Sequence, residues 1–540
     1  MLRSIGKVRA TAVGEVLFRE GDRGYDFIVI LAGEVTIVDH QAGIERALAC
    51  GGPGEFIAEL NLLTGERLFT TAVVTAAGEV LVVPRRKLLA LISRNQELGD
   101  LLERTMFARR EWLAQRQTGL RIVGSRSSVE TRALIEFAVR NRVPHVWLDA
   151  DADPAADAVL ARHQVPRDQL PIVVMRGGDV LRHPSNTELA RAAGLGMSPD
   201  PDRTYDVAVI GGGPAGLAAA VYAASEGLST ALVETLALGG QIGTTSRIEN
   251  YLGFPVGVRG QDFAELAFLQ VIRFGASIVL PATAVGLSDA GAAFMTQLDT
   301  GVTLPARSVI VAAGVSYRVL DADGLDRFGG MGVFYTPLTA RDELRPGAPV
   351  VIVGGGNSAG QAAISLADRG HHVTIVVRGR DLAASMSQYL TERIADLPNV
   401  DVRYGTVVRA VDGTDRLERV LVEAVATGQR ETLPAAALFV LVGAVPHTDW
   451  LAGNVLLDDR GYIVTGSDLG PQARTQPPWT ELGRDPYLLE TSVPGVFAAG
   501  DVRSGSVKRA AAAVGEGSIA VRFVSEHLGR GRAYADQRPR

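Results

Sequence analysis

Residues 207–227 read VAVIGGGPAGLAAAVYAASEG and contain the pattern that decides the fold. A short apolar run typical of a buried strand leads into a glycine turn, and an apolar helix follows. The turn has the spacing Gly211-x-Gly213-x-x-Gly216. In such units the glycines allow a tight turn, close approach of the backbone to a pyrophosphate, and close packing of helix on strand. The stretch predicts a dinucleotide-binding Rossmann unit; a glycine turn without a nucleotide is the alternative.

An acidic residue, Glu234, ends the next apolar strand about 20 residues further on. A carboxylate at this place accepts hydrogen bonds from ribose hydroxyls, and it would repel a ribose that carries a 2′-phosphate. The first unit therefore favours FAD or NAD over NADP.

The same strand–turn–helix pattern returns at residues 350–367, VVIVGGGNSAGQAAISLA. Here the small residues are Gly354, Gly356 and Ala359, and the following strand ends in Arg378 and Arg380 instead of an acid. Guanidinium groups match a 2′-phosphate, so the second unit favours NADPH over NADH. Two arginines on an exposed strand end are the alternative.

Near the end of the chain, residues 491–502 read TSVPGVFAAGDV, an apolar strand that ends in Gly500-Asp501. Lys508, Arg509 and Ala510 follow, and a helix is predicted around residues 514–517, where its N-terminal dipole could face a bound ring. Lys508 and Arg509 could lie near a bound cofactor; the alternative is that they are a pair of solvated cations without a ligand.

Length and composition describe an ordinary globular chain. The 540 residues favour three or more domains, and 47% apolar residues, 21% charged residues and a net charge of −6 give no sign of a nucleic-acid partner. The longest apolar run, residues 435–445, is about half of the roughly 20 residues that cross a bilayer, and the N-terminus lacks the apolar core of a signal peptide. We expect a cytoplasmic protein without a membrane span.

Cys50 is the only cysteine. An intramolecular disulfide and a cysteine-type zinc site are therefore excluded, and the eight histidines show no ligand-like spacing, so no metal site is predicted.

From Tyr205 to about Leu528 the sequence resembles the low-molecular-weight thioredoxin reductases, which are flavoprotein oxidoreductases. The resemblance rests on the two glycine turns, residues 239–242 (GGQI), 248–255 (IENYLGFP) and 310–314 (IVAAG), and the Gly500-Asp501 segment. It implies an FAD-binding domain split between residues 203–314 and 435–530, an inserted NADPH-binding domain at 315–434, and a homodimer.

The resemblance and the glycine patterns together give the candidate cofactor residues. For FAD they are Gly211, Gly213, Pro214, Ala215, Gly216, Glu234, Gly240, Gln241, Asn250, Ala313, Gly314, Gly500, Asp501, Arg509 and Ala510. For NADPH they are Gly354, Gly356, Asn357, Ser358, Ala359, Arg378, Arg380 and Gly443.

The sequence departs from this family where family members carry a Cys-x-x-Cys pair. Residues 332–340 read GVFYTPLTA, so Thr336 and Thr339 stand at the expected cysteine positions. Hydroxyls form no disulfide, and electrons must pass directly from the flavin to an acceptor or to a thiol of another molecule. No catalytic acid or base is evident, because hydride transfer between cofactors depends on alignment more than on proton transfer.

Residues 116–197 show a βαβ–ββα pattern that resembles thioredoxin and glutaredoxin domains, with Leu170-Pro171 as a candidate cis-proline turn. The loop that would hold the redox pair reads GSRSS at residues 124–128 and lacks cysteine. A structural or docking role is favoured, and binding of a glutathione-like ligand is the alternative.

Residues 1–115 alternate short strands and glycine turns, become helical after Arg86, and resemble the β-roll of cyclic nucleotide-binding domains. The nearest match to the phosphate-binding cassette is residues 54–71, where Glu59 would accept the ribose hydroxyl and Thr70 follows. Phe69 stands where the phosphate-binding arginine belongs, so binding of cAMP is predicted to be weak or absent.

The sequence thus predicts a multidomain α/β protein, with two Rossmann-like domains of thioredoxin reductase type behind a β-roll domain and a thioredoxin-like domain. The favoured function is an NADPH-dependent FAD oxidoreductase with an unidentified acceptor. The alternatives are a thioredoxin-disulfide reductase that uses a partner's thiols, and a redox- or nucleotide-sensing binding protein with little turnover.

Overall fold

The computed structural model describes most of the chain. The described residues are 1–22, 25–41, 44–57, 68, 70–92, 95, 97–99, 101–102, 105, 109, 119–175, 178–193, 195, 199–200, 203–244, 248, 251–318, 320–328, 332–335, 344–414, 416–471, 475 and 477–529.

An antiparallel β-roll forms the N-terminal part. Its elements are β1 (Lys7–Thr11), β2 (Val16–Phe18), β3 (Phe27–Gln41), β4 (Ile44–Gly51), β5 (Phe56–Ile57), β6 (Thr71–Val83) and helix α1 (Arg85–Ile92). The strands pair in the order β1-β6-β3-β4, β2 also pairs with β6, and β5 pairs with β3. The predicted start of helical structure after Arg86 agrees with α1, and part of the segment that follows Ile92 lies outside the described residues.

A four-stranded mixed sheet follows. Its elements are β7 (Leu120–Gly124), α2 (Val129–Arg140), β8 (His145–Asp149), α3 (Pro154–Arg162), β9 (Ile172–Val174), β10 (Val180–Arg182) and α4 (Asn186–Ala192). The strand order is β10-β9-β7-β8, and only the β7–β8 pair is parallel. The Leu170–Pro171 peptide bond is cis, as predicted.

The first Rossmann unit is built from two distant parts of the chain. The first part contributes β11 (Tyr205–Ile210), α5 (Pro214–Ser225), β12 (Thr230–Val233), α6 (Gly260–Arg273), β13 (Ser277–Val279), β14 (Ala284–Asp289), β15 (Phe294–Leu298) and β16 (Thr303–Val311). β11, β12, β13 and β16 form its parallel core, and β14 and β15 extend it antiparallel. Every residue of β11 and β12 is buried, as expected for strands covered on both faces.

The second Rossmann unit has a parallel sheet of its own. Its elements are β18 (Val333–Phe334), β19 (Pro349–Val353), α7 (Asn357–Ala367), β20 (His372–Val377), α8 (Gln388–Ala395), β21 (Val400–Tyr404) and β25 (Ala437–Val440). The strand order is β18-β25-β19-β20-β21. A three-stranded antiparallel sheet packs beside it, formed by β22 (Thr406–Asp412), β23 (Arg419–Ala424) and β24 (Arg430–Pro434).

The chain enters and leaves this unit through an antiparallel strand pair, β17 (Val315–Tyr317) and β26 (Ala444–Pro446). It then returns to the first unit, where the remaining elements are α9 (Trp479–Leu482), β27 (Val496–Ala498) and α10 (Ala510–His527). Because β27 pairs in parallel with β16 and α10 packs on α5, residues almost 190 apart in sequence share one sheet.

Within the described ranges, no helix combines the length and apolar character that a membrane span needs. The same ranges contain no group of three or more His, Cys, Asp or Glu side chains placed to hold a metal ion.

Candidate functional site

The glycine turn of the first unit is sterically confined at two glycines and open at the third. Gly211 has φ of 111°, and a Cβ there would collide with the carbonyl oxygen of Ala312; a Cβ at Gly216 would collide with the carbonyl oxygen of Gly211. Gly213 has open space beside it and precedes helix α5, whose first turn receives no side-chain cap. Free N–H groups and open space at a helix N-terminus fit the pyrophosphate of a dinucleotide.

Glu234 fixes the first glycine turn through hydrogen bonds from the backbone. Its carboxylate accepts hydrogen bonds from the N–H groups of Gly212 at 2.7 Å, Leu236 at 2.9 Å and Ala237 at 3.3 Å. A carboxylate has about four acceptor positions, so the geometry leaves capacity for a ribose hydroxyl. The structural role in linking two loops was not predicted.

The C-terminal segment brings Gly500 and Asp501 to the same helix N-terminus. A Cβ at Gly500, which has φ of 78°, would lie 2.9 Å from the Cβ of Ala215. Burial raises the pKa of the Asp501 carboxyl; the nearby Lys508 opposes this shift and Glu516 adds to it. The Asp501 carboxyl is thus partly desolvated and follows Gly500, which lies beside the start of α5.

Glu516 on α10 supports this segment and was missed as a site residue. Its carboxylate accepts a hydrogen bond from the Gly500 N–H at 2.7 Å and pairs with the Arg503 guanidinium at 2.6 Å. The motif at residues 514–517 was noted from the sequence, but the contact with Gly500 depends on the packing of α10 against the end of β27.

The remaining predicted FAD residues have the following positions. The side-chain amide of Gln241 donates to the carbonyl oxygen of Val315, and Ala313 and Gly314 follow β16, with Gly314 at φ of 67°. Arg509 is the N-cap residue of α10, and Ala510 begins the helix. Lys508 donates to the Tyr462 hydroxyl at 3.0 Å, so it has a partner other than solvent. Asn250 lies outside the described residues.

The second glycine turn has the same construction. Gly354 has φ of 139° and no room for a Cβ because of the Leu441 carbonyl oxygen, and Gly356 precedes α7 without a side-chain cap. The Asn357 side-chain oxygen accepts hydrogen bonds from the N–H of Ser387 at 2.7 Å and from its hydroxyl at 3.1 Å. This anchor to the loop before α8 was not predicted.

Beyond β20, which ends at Val377, the side chains of Arg378 and Arg380 are exposed. Neither forms an ion pair with a carboxylate in the described part of the chain. Ser358 and Ala359 lie in the first turn of α7, and Gly443, with φ of 98°, lies in the connection between β25 and β26. The second unit thus presents two available cations at the strand end where a 2′-phosphate is expected.

Several predicted residues lie outside the described part of the chain. These are Thr336 and Thr339 in the segment after β18, and Glu59 and Phe69 in the cassette. Thr70 is described and buried.

The cysteine-free loop after β7 is held by polar contacts. The Ser125 hydroxyl bonds to Asp151 and lies 2.7 Å from the Ser127 hydroxyl. Arg126 pairs with Asp149 at 3.7 Å and covers the Trp147 ring at 5.4 Å. These side chains are therefore engaged with one another.

Residues 205–517 match the pyridine nucleotide-disulphide oxidoreductase family, and residues 8–95 match the cyclic nucleotide-binding domain. The chain belongs to the pyridine nucleotide-disulphide oxidoreductase family. Its region from β11 to α10 is accordingly an NAD(P)H-dependent flavoprotein oxidoreductase module of thioredoxin reductase type, as predicted, with a flavin and a pyridine nucleotide as its cofactors at family level.

Two curated relatives of this oxidoreductase are informative. Alkyl hydroperoxide reductase F of Staphylococcus epidermidis is 31% identical over 316 residues, which are 58% of this chain and 57% of that protein. Thioredoxin reductase of Neurospora crassa is 35% identical over 336 residues, which are 59% of this chain and 94% of that protein. The chain thus spans little more than half the length of the first relative.

Among solved structures, T. acidophilum thioredoxin reductase aligns with a TM-score of 0.49 and 29% identity, over 61% of this oxidoreductase chain and 99% of that structure.

Proposed function

We propose that the chain is an NADPH-dependent FAD oxidoreductase that delivers electrons to an acceptor without an internal dithiol. One observation carries this proposal: two glycine turns with open helix N-termini are followed by opposite charges, Glu234 in the first unit and the exposed pair Arg378 and Arg380 in the second. The carboxylate selects an unphosphorylated ribose, and the guanidinium pair selects a 2′-phosphate.

The protein's residues have binding and positioning roles in this scheme. The N–H groups around Gly213 would hold the FAD pyrophosphate, and the Asp501 carboxylate would accept hydrogen bonds from the ribityl hydroxyls. Arg378 and Arg380 would bind the NADPH 2′-phosphate. The chemistry that bound FAD would supply is acceptance of a hydride and release of its electrons singly or in pairs. Asp501 is partly buried, and partial exclusion of water from its carboxyl group strengthens the hydrogen bonds that this group makes.

The acceptor is proposed to be external. Cys50 is the only thiol of the chain and lies on β4 of the N-terminal roll, where its sulfur is 3.3 Å from the Thr36 hydroxyl. The names of the relatives suggest a thioredoxin or a hydroperoxide-reducing partner, and with either the dithiol would have to belong to that partner.

The domain division is part of the proposal. We place the β-roll domain at 1–115, a thioredoxin-like domain at 116–197, the FAD domain at 203–314 and 435–530, and the NADPH domain at 315–434, in a homodimer. The strand order β10-β9-β7-β8, with its single parallel pair, supports the thioredoxin-like assignment, and the β16–β27 pairing supports the split FAD domain.

Anaerobic titration of the purified chain tests the proposal. NADPH should bleach the flavin absorbance faster than NADH does, and the band should return on addition of an acceptor such as a quinone or a disulfide-containing thioredoxin. A flavin band that stays oxidised with both nucleotides would favour the sensing alternative.

A further inference from the structure

The corner that ends helix α2 is bound to the loop that follows β12. Arg140 donates through Nη2 to the carbonyl oxygen of Gly240 at 2.8 Å, and the Asn141 side-chain amide donates to the carbonyl oxygen of Leu236 at 2.9 Å. The Leu236 side chain also packs against the apolar core around α2. Both ends of the 236–240 loop are thus held by residues that lie outside the region matched by the oxidoreductase family.

Neighbouring contacts extend this interface from the end of α2 to helix α6. Arg142 pairs with Asp262 at 3.2 Å and with the buried Glu265, both on α6, and Gln261 donates to the carbonyl oxygen of Val139 at 3.3 Å. Arg142 has φ of 50°, which is uncommon for a residue with a side chain and persists only where surrounding contacts maintain it.

The held loop is in turn attached to the first glycine turn. The N–H of Gly239 donates to the carbonyl oxygen of Gly212 at 2.7 Å, and a Cβ on Gly240 would lie 2.9 Å from the Cα of Gly213. The hydrogen bond from Arg140 therefore ends on a residue that touches the backbone expected to face the pyrophosphate.

The charge of Arg140 also suits this position. Its side chain is 15% exposed, and its ion-pair partner Glu136 is 3.5 Å away and 56% exposed. A long contact with a solvated carboxylate compensates a largely buried cation only weakly, so its field remains available to an anion bound at the glycine turn.

We propose that Arg140 is a positioning residue for the FAD pyrophosphate. The domain around α2 acts here as a part of the flavin site. It holds the 236–240 loop against the glycine turn through hydrogen bonds, and it places the Arg140 guanidinium next to Gly240. This inference rests on the proposed function through its assignment of FAD to the first unit.

The test measures FAD binding to the full-length apoprotein, by fluorescence titration and by the rise in Tm that FAD produces. Arg140→Ala should weaken FAD binding about tenfold and shrink the FAD-induced rise in Tm, and Arg140→Lys should recover part of the affinity. Asn141→Ala should weaken binding several-fold. Arg132→Ala is the matched control on the same helix, because its guanidinium donates to the carbonyl oxygens of Arg126 and Ser127 within the same domain; its FAD affinity should equal that of the wild type.

A purely structural role for Arg140 would lower the Tm of the apoprotein and leave the FAD-induced rise and the dissociation constant unchanged, which overturns the proposal. Equal losses in the Arg140 and Arg132 variants would overturn it too. If Arg140→Ala does not fold, wild-type FAD affinity in both Arg140→Lys and Asn141→Ala would overturn the proposal. A wild-type chain that binds no FAD refutes the proposed function as well, whereas wild-type binding with an unaffected Arg140→Ala refutes only the present inference.

Discussion

Replacing both Arg378 and Arg380 by alanine should abolish the preference for NADPH, so that the KM values for NADPH and NADH become nearly equal. Both guanidinium groups are exposed at the end of β20 and form no ion pair with described carboxylates, so the 2′-phosphate meets cations that need not leave another partner. Exposure screens each contact, and we assign about 1–1.5 kcal/mol to each arginine, below the usual range for hydrogen bonds between charged groups. The double variant should lose about 2–3 kcal/mol, which is roughly a 30- to 140-fold rise in the KM for NADPH.

The assay compares steady-state KM values for NADPH and NADH with one artificial acceptor, and the KM for NADH should change less than about threefold, because its ribose offers no phosphate to these side chains. Arg369→Ala is the matched control: this exposed arginine precedes β20, whose six residues separate the two sites by about 20 Å. Equal increases in KM for both nucleotides, or the same loss in the control, would refute the reasoning.

Three further predictions concern the glycine turn, a buried ion pair and a buried histidine. Gly216→Ala should abolish retention of flavin during gel filtration, because its Cβ would collide with the carbonyl oxygen at the turn, whereas Gly52→Ala, with open space around it, should retain flavin fully. Glu490→Gln should destabilise the chain by roughly 3 kcal/mol in urea unfolding, because it removes a fully buried negative charge and replaces one of the two oxygens that accept from Arg484 by an NH₂ group; an unchanged midpoint would contradict this. Burial lowers the pKa of His527, so below about pH 6.5 the unfolded chain binds a proton at this residue that the folded chain does not. The free energy of unfolding should therefore decrease as the pH falls from about 6.5 to the folded-state pKa of His527. Thermal unfolding of His527→Gln between pH 5 and 8 should show a weaker dependence on pH.

Local sequence patterns predicted the parts of the site that local chemistry determines. The spacing of Gly211, Gly213 and Gly216 defined a turn that admits only glycine at two of these positions, and the structure shows the colliding carbonyl oxygens directly. Arg378 and Arg380 were predicted because the end of a strand in a Rossmann unit has a fixed relation to the nucleotide ribose, and the structure shows both side chains exposed beyond β20.

Contacts between distant segments could not be predicted from the chain alone. Glu516 was visible as a residue, but its hydrogen bond to Gly500 depends on how α10 lies against β27. Arg140 reads as an ordinary cation in the last turn of a helix, and its partner Gly240 is 100 residues away. With one sequence and no periodic pattern that links the two segments, only the packing reveals that they meet.

The two N-terminal domains differ in what they could contribute to electron transfer. The docking through Arg140, Asn141 and Arg142 ties the cysteine-free domain to the flavin module, while the only thiol of the chain lies on the β-roll. An intramolecular relay needs an element that carries a redox pair, and a domain with serines and no cysteine in its loop supplies no thiols. It follows that, if the chain turns over, the acceptor itself must approach the flavin, and a variant with Cys50→Ser should keep its full rate with an artificial acceptor.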